Sequence, residues 1–154
     1  MAISVSPQWR AFVHESLPDL VEGVSFECTS EVDFNYNCLS WALSINHHLL
    51  DDVCGGFWPW RHISPETTDG WVEVCKIHGF TLTEGLETSF VPGYEKVAIF
   101  EDDEGDLHAC RQAENGKWKS KLGVGPDIDH DGLTALEAAY GKVVRILMKK
   151  REDW

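Results

Sequence analysis

Helical segments early in the chain and strand segments late in it predict an α+β protein. Three observations carry that expectation. Residues 38–50 and 64–79 hold apolar residues at helical spacing between breakers. From residue 80 the texture turns to short apolar strands. Turns bearing Gly join those strands in sequence, which makes the pairing antiparallel, and Asn115-Gly116 is the strongest hairpin signal. The 154 residues suit a single domain, 1–154, with its core at about 30–150.

The elements follow in order. A short helix is expected at "PQWRAFVHE", residues 7–15, within an otherwise mixed start. In "DFNYNCLSWALSINHHLL" the polar run Asn35, Tyr36, Asn37 gives way at Cys38 to Leu39, Trp41, Ala42, Leu43 and Ile45, a helix running to about Leu50. "CGGFWPW", residues 54–60, is loop, because its glycines and proline break regular structure. "SPETTDGWVEVCKIHGF" opens a second helix with Ser64 as N-cap and Pro65 at the first position, and Gly79 stops it. Strands are expected at "FTLTE", "EKVAIFED", "DLHACRQAE" and "KWKSKLG", then a short helix at "GLTALEAAYG" and a last strand at "KVVRILMKK".

Composition narrows the function. Hydrophobic residues make up 43% and charged residues 25%, the balance of an ordinary globular protein. A net charge of −13 argues against nucleic acid and against an anionic membrane surface, and suits a basic protein partner or cationic substrate. No apolar run approaches the ~20 residues of a membrane span. The start "MAISVSPQWR" lacks the features of a signal peptide. The five cysteines, 28, 38, 54, 75 and 110, read as reduced thiols, so a cytoplasmic location is expected. Delivery by a secretion route that needs no signal peptide stays open.

Cys38 opens a helix, where the first amides and a nearby imidazole would favour a thiolate nucleophile. The bland alternative is a small buried side chain. A two-residue turn at Glu104-Gly105 sets Glu101 opposite His108 and puts His108 on the face of Val97 and Ile99, under a covering helix. His108 is thus the candidate base. A third group would orient the imidazole. Ser120 faces away if Asn115-Gly116 is a two-residue turn, and towards His108 if the strand bulges. Asp127, Asp129 and Glu101 are the other candidates. Tyr36, Asn37 and the Cys38 amide are candidate oxyanion donors.

Other motifs support blander readings. Asp127, Asp129, Asp131 and Gly132 fit the start of a calcium loop, but its twelfth position is Ala138 rather than Glu, so "DIDHDG" reads as a polar loop with Asp131 capping the short helix. Cys75 and His78 form only one close pair, with His47 and His48 elsewhere, and zinc needs four ligands. No metal or cofactor is expected. Trp58 and Trp60 form either a wall of a substrate groove or a loop folded over the core. "EDDEGD" is a solvated hairpin tip.

"NYNCLSWAL", "KVAIFED…LHACRQAENGKWKSKLG" and "DIDH…ALEAAYGKV" together resemble a family of small uncharacterised bacterial proteins, over roughly residues 34–145. Their arrangement is similar to the papain-like peptidases and amidases of the NlpC type. The resemblance implies a papain-like fold with N-terminal helices packed on an antiparallel sheet. It also implies Cys38 as nucleophile, His108 as base, and Ser120 or Asp127 as the third residue. The function it implies is a cysteine-dependent hydrolase or acyltransferase acting on an amide of a peptide or protein substrate. Such a fold hosts many chemistries and does not fix the substrate. The rival reading is a non-enzymatic acidic binding protein, of the immunity or antagonist type, that captures a basic protein partner through its negative field.

Overall fold

A computed structural model of the chain describes residues 15, 26–28, 38–43, 58–121, 127–130 and 132–151. They form an α+β arrangement of β1 (Phe26–Cys28), α1 (Cys38–Ala42), α2 (Thr68–Ile77), β2 (Thr81–Leu82), β3 (Tyr94–Glu101), β4 (Leu107–Gln112), β5 (Trp118–Lys121) and β6 (Asp127–His130). A 3-10 turn (Thr134–Leu136), α3 (Glu137–Tyr140) and β7 (Lys142–Lys150) complete it. The strands make one seven-stranded sheet in the order β1-β6-β5-β4-β3-β7-β2. Every recorded pairing is antiparallel. Among the described residues no helix is long and apolar enough to cross a membrane.

The strands alternate between two buried faces, which explains runs such as Val97 to Phe100 with no exposed member. One face gathers Ala98, Phe100, Cys110, Trp118, Ile128 and Ile146 under Leu133, Leu136 and Tyr140. Val97, Ile99, Ala109 and Leu147 belong to the other cluster, with Leu39 and Ala42 of α1 and Trp71, Val74 and Cys75 of α2. Burying each large apolar side chain contributes about 1.5–3 kcal/mol, so both layers hold the central strands in place.

Both hairpins around β4 differ from the sequence expectation in the same way. Each has a three-residue loop instead of a two-residue turn. Asp102 and Ala113 close these loops with Asp106 and Lys117, and Gly105 and Gly116 bond back to Asp102 and Ala113. Gly105 and Gly116 take φ of 85° and 82°, the left-handed position that such loops require. The extra residue shifts each register by one. His108 pairs with Phe100 and Cys110 with Ala98, so His108 lies on the face opposite to Val97 and Ile99, correcting its expected placement. Cys110 pairs with Ser120, not Lys121, so Ser120 shares the face of His108 without a bulge.

Three further expectations are corrected. The second helix starts at Thr68, because Thr67 is its N-cap and accepts from the Gly70 amide, while Ser64 accepts from Glu66 in the preceding turn. Gly70 fits tightly here, since a Cβ would stand 1.8 Å from the Ser64 carbonyl oxygen. The C-terminus is as expected: Phe80 bonds to Cys75 and Gly79 to Lys76, with Gly79 at φ 93°. "DIDH" is strand β6 instead of a loop, paired with β1 and β5. Its extended backbone is not a calcium loop. The 3-10 turn has Leu133 at its N-cap, without a side-chain cap. The helix expected at 7–15 lies almost entirely outside the described residues, as does the continuation of α1 towards Leu50.

Candidate active site

Cys38 is the first residue of α1, and α1 packs across β4 and β5. Those strands carry His108 and Ser120. His108, Ser120 and His130 are buried, at 1%, 0% and 1% exposure, on one face of three adjacent strands. They make a linear hydrogen-bond chain. His130 Nδ1 lies 2.8 Å from the Gly132 carbonyl oxygen, His130 Nε2 2.8 Å from Ser120 Oγ, and His108 Nε2 3.4 Å from Ser120 Oγ. The last link is at the long end of the range.

Tyr140 stacks on the His108 ring at 3.8 Å between centroids, nearly parallel, and Phe100 flanks it at 5.6 Å. Tyr140 is held there by Gly141, where the chain turns into β7. Gly141 has φ 83°, and a Cβ on it would meet the Glu101 oxygen at 2.3 Å and the Asp102 Cα at 2.4 Å. Only glycine allows that approach.

Burial dominates the electrostatics. It pushes His108 down to about 3, with the nearby His130 adding to the effect, so the imidazole is neutral at pH 7. Burial also raises Tyr140 and Cys110 well above their ordinary values. A hydrogen bond with Ser120 opposes the rise at Cys110, and the charge of Cys38 adds to the rise at both. Cys38, 8% exposed, therefore has two affiliations. By packing it belongs to the cluster with Leu39, Ala42 and Ala109, and by electrostatics it acts on Cys110 and Tyr140 of the other layer.

The remaining candidates are placed as follows. Tyr36 and Asn37 lie outside the described residues. Asp127 opens β6, paired with Lys121. Asp129 is ion-paired with Lys119 at 2.8 Å, and Glu101 accepts from the Thr68 hydroxyl at 2.6 Å. Both carboxylates are thus engaged away from His108. Trp58 and Trp60 meet edge to face at 5.0 Å and pack on the second cluster. The Trp58 indole donates to Ile63, and Trp60 approaches His78, so the pair lies by α2 rather than in the His108 chain. Cys75, on the buried face of α2, is pushed up to about 12 by burial. Among the described residues no group of three His, Cys, Asp or Glu side chains is placed to hold a metal ion.

Two residues of the site were not foreseen as site residues, His130 in the chain and Tyr140 stacked on His108. The alternation of Ile128 with His130 was the available signal, masked by the acidic residues between and after them.

A sheet protein with a buried His–Ser–His chain on one face, and a cysteine-initiated helix packed with the cluster of the other, is the class these residues define. Within it, residues 27–148 match the family described as a domain of unknown function (DUF7689), and the chain belongs to that family. No curated protein and no solved structure matches the chain.

Proposed function

We propose that the protein is a cysteine-dependent hydrolase or acyltransferase of papain-like, NlpC-type architecture that acts on an amide bond. The observation that carries this reading is the buried His108–Ser120 pair, with Tyr140 stacked on His108 and within the electrostatic reach of Cys38. With Nε2 turned to Ser120, the Nδ1 atom of His108 remains to take a proton. A neutral imidazole held near 3 is a weak base alone. Proton transfer becomes favourable only together with the negative charge it creates.

In this mechanism the Cys38 sulfur attacks the amide carbonyl while its proton passes to His108 Nδ1. The imidazolium then protonates the leaving amine, and a thioester remains on Cys38. Water or an acceptor amine attacks the thioester, gives its proton to His108, and Cys38 leaves as thiolate to regain that proton. Ser120 orients the imidazole, and Tyr140 keeps water off one ring face. The oxyanion donors expected from Tyr36 and Asn37 lie outside the described residues. A peptide or protein amide is the substrate class.

The test is acyl-enzyme capture. With p-nitrophenyl acetate, a burst of nitrophenolate and an acetyl group mapped to Cys38 are expected, both lost in Cys38→Ala and slowed in His108→Ala. Equal acetylation in His108→Ala would overturn the pairing.

A second reading, an acidic protein that captures a basic partner, is favoured by one open cleft of about 690 Å³. Glu101, Asp102, Asp103, Glu104 and Glu137 line it with a single lysine, Lys142. Salt-sensitive binding of an oligolysine peptide that survives Cys38→Ala would support this reading.

A further inference from the structure

Hydrogen-bond direction in the buried chain can be read from its fixed end. The Gly132 carbonyl oxygen can only accept, so His130 Nδ1 carries the hydrogen. A neutral His130 then has a bare Nε2, which can only accept, so the Ser120 hydroxyl donates to it at 2.8 Å. Ser120 has one proton and two lone pairs. With the proton given to His130, only lone pairs face His108, and His108 must present Nε2–H. The link of 2.8 Å against 3.4 Å decides which imidazole commands the hydroxyl.

We propose that His130 is a positioning residue: anchored on the Gly132 carbonyl, it orients the Ser120 hydroxyl and so keeps His108 in the Nε2–H tautomer with Nδ1 as the basic atom. The tautomer lock stands on the hydrogen bonds of a neutral His130, and its role in catalysis rests on the reading of Cys38 and His108 as nucleophile and base. The device explains why a serine, itself a weak orienter, serves between two imidazoles. Alone, its hydroxyl can turn either way and would accept or donate to His108 equally well. With His130 behind it, one direction is enforced. The wrong tautomer would put a hydrogen on Nδ1 and leave nothing there to receive the thiol proton, the type of failure that a reversed triad tautomer produces.

The experiment is histidine-selective ¹⁵N NMR of the full chain, where two-bond couplings separate Nδ1–H from Nε2–H rings, paired with the rate of Cys38 acetylation. In the native protein His130 is expected as Nδ1–H and His108 as Nε2–H. In His130→Phe, and in the smaller change Ser120→Ala, His108 should become a mixture of tautomers. Acetylation should fall in proportion to the Nε2–H population lost. His130→Gln, whose amide oxygen accepts in place of Nε2, should restore both. A native His108 protonated at Nδ1, or one whose tautomer ignores both His130→Phe and Ser120→Ala, overturns the lock. A tautomer that shifts without any change in acetylation overturns the catalytic role of His130. If Cys38 is not acetylated at all while both rings show the stated tautomers, it is the nucleophile reading that fails, and the control of His108 by His130 is supported.

Discussion

His108 is the residue on which the account turns, and its burial has a measurable consequence for stability. Its folded-state value, about 3, lies below the unfolded 6.5, so the unfolded chain binds a proton that the native state refuses. The contribution is complete above pH 6.5 and is lost as pH falls from there towards 3. Between pH 6.5 and 5, above the range where most carboxylates titrate, urea unfolding should weaken by up to about 1.4 kcal/mol per pH unit from this one group. His108→Gln should flatten that slope, and an unchanged slope would show that His108 is not held neutral. At this scale the sequence was partly legible. Cys38, His108 and Ser120 stood out by type and by resemblance. His130 did not, because four polar residues in "DIDHD" outweigh one Ile when polarity is used to separate loop from strand. Tyr140 appeared only as a feature of the resemblance, since a stacking partner 32 positions away leaves no local pattern.

Most elements could be read from apolar runs and breakers, and β3, β4, β5 and β7 lie where their patterns put them. The faces could not be read, because a single loop residue decides them. Asn-Gly favours a two-residue turn in general, yet Ala113 to Lys117 folds as a turn followed by a left-handed glycine. That one residue moves Ser120 to the face of His108. The N-cap of α2 was misplaced for a related reason: Ser64 and Thr67 are both good caps, and the close approach of Gly70 to the Ser64 backbone selects Thr67. β1 could not be read at all, as three residues carry too little period. The turn that sets Tyr140 over His108 gives the prediction at this scale. Gly141→Ala combines positive φ with a backbone clash, and the φ penalty alone is about 1–3 kcal/mol. Chemical denaturation should show at least that loss, whereas a neutral effect would mean the β3–α3 approach is looser than described.

The molecule as a whole carries a charge of −13, an excess that one-to-one ion pairs such as Lys119–Asp129 and Arg151–Glu95 leave unchanged. Self-repulsion should therefore cost stability at low salt. Raising sodium chloride from about 0.01 M to about 0.1 M shortens the screening length from about 30 Å to about 10 Å, and the melting temperature should rise. A fall would mean that native ion pairs outweigh the repulsion. The α+β class was legible at this scale from the order of helices and strands. The sheet order was not, because the connection from β6 to β7 carries the chain past three strands, and no turn signal records that crossing.

The central claim is that Cys38 and His108 act as a pair. Site-resolved alkylation of the native protein from pH 4 to 9, read by mass spectrometry beside His108→Ala, tests it most directly. Cys75 and Cys110, raised by burial, serve as internal references and should stay unmodified. Cys38 should react quickly with a midpoint below the ~8.5 of an ordinary thiol, and His108→Ala should raise that midpoint. A Cys38 as silent as Cys75 until the protein unfolds would contradict the account and leave it a core residue.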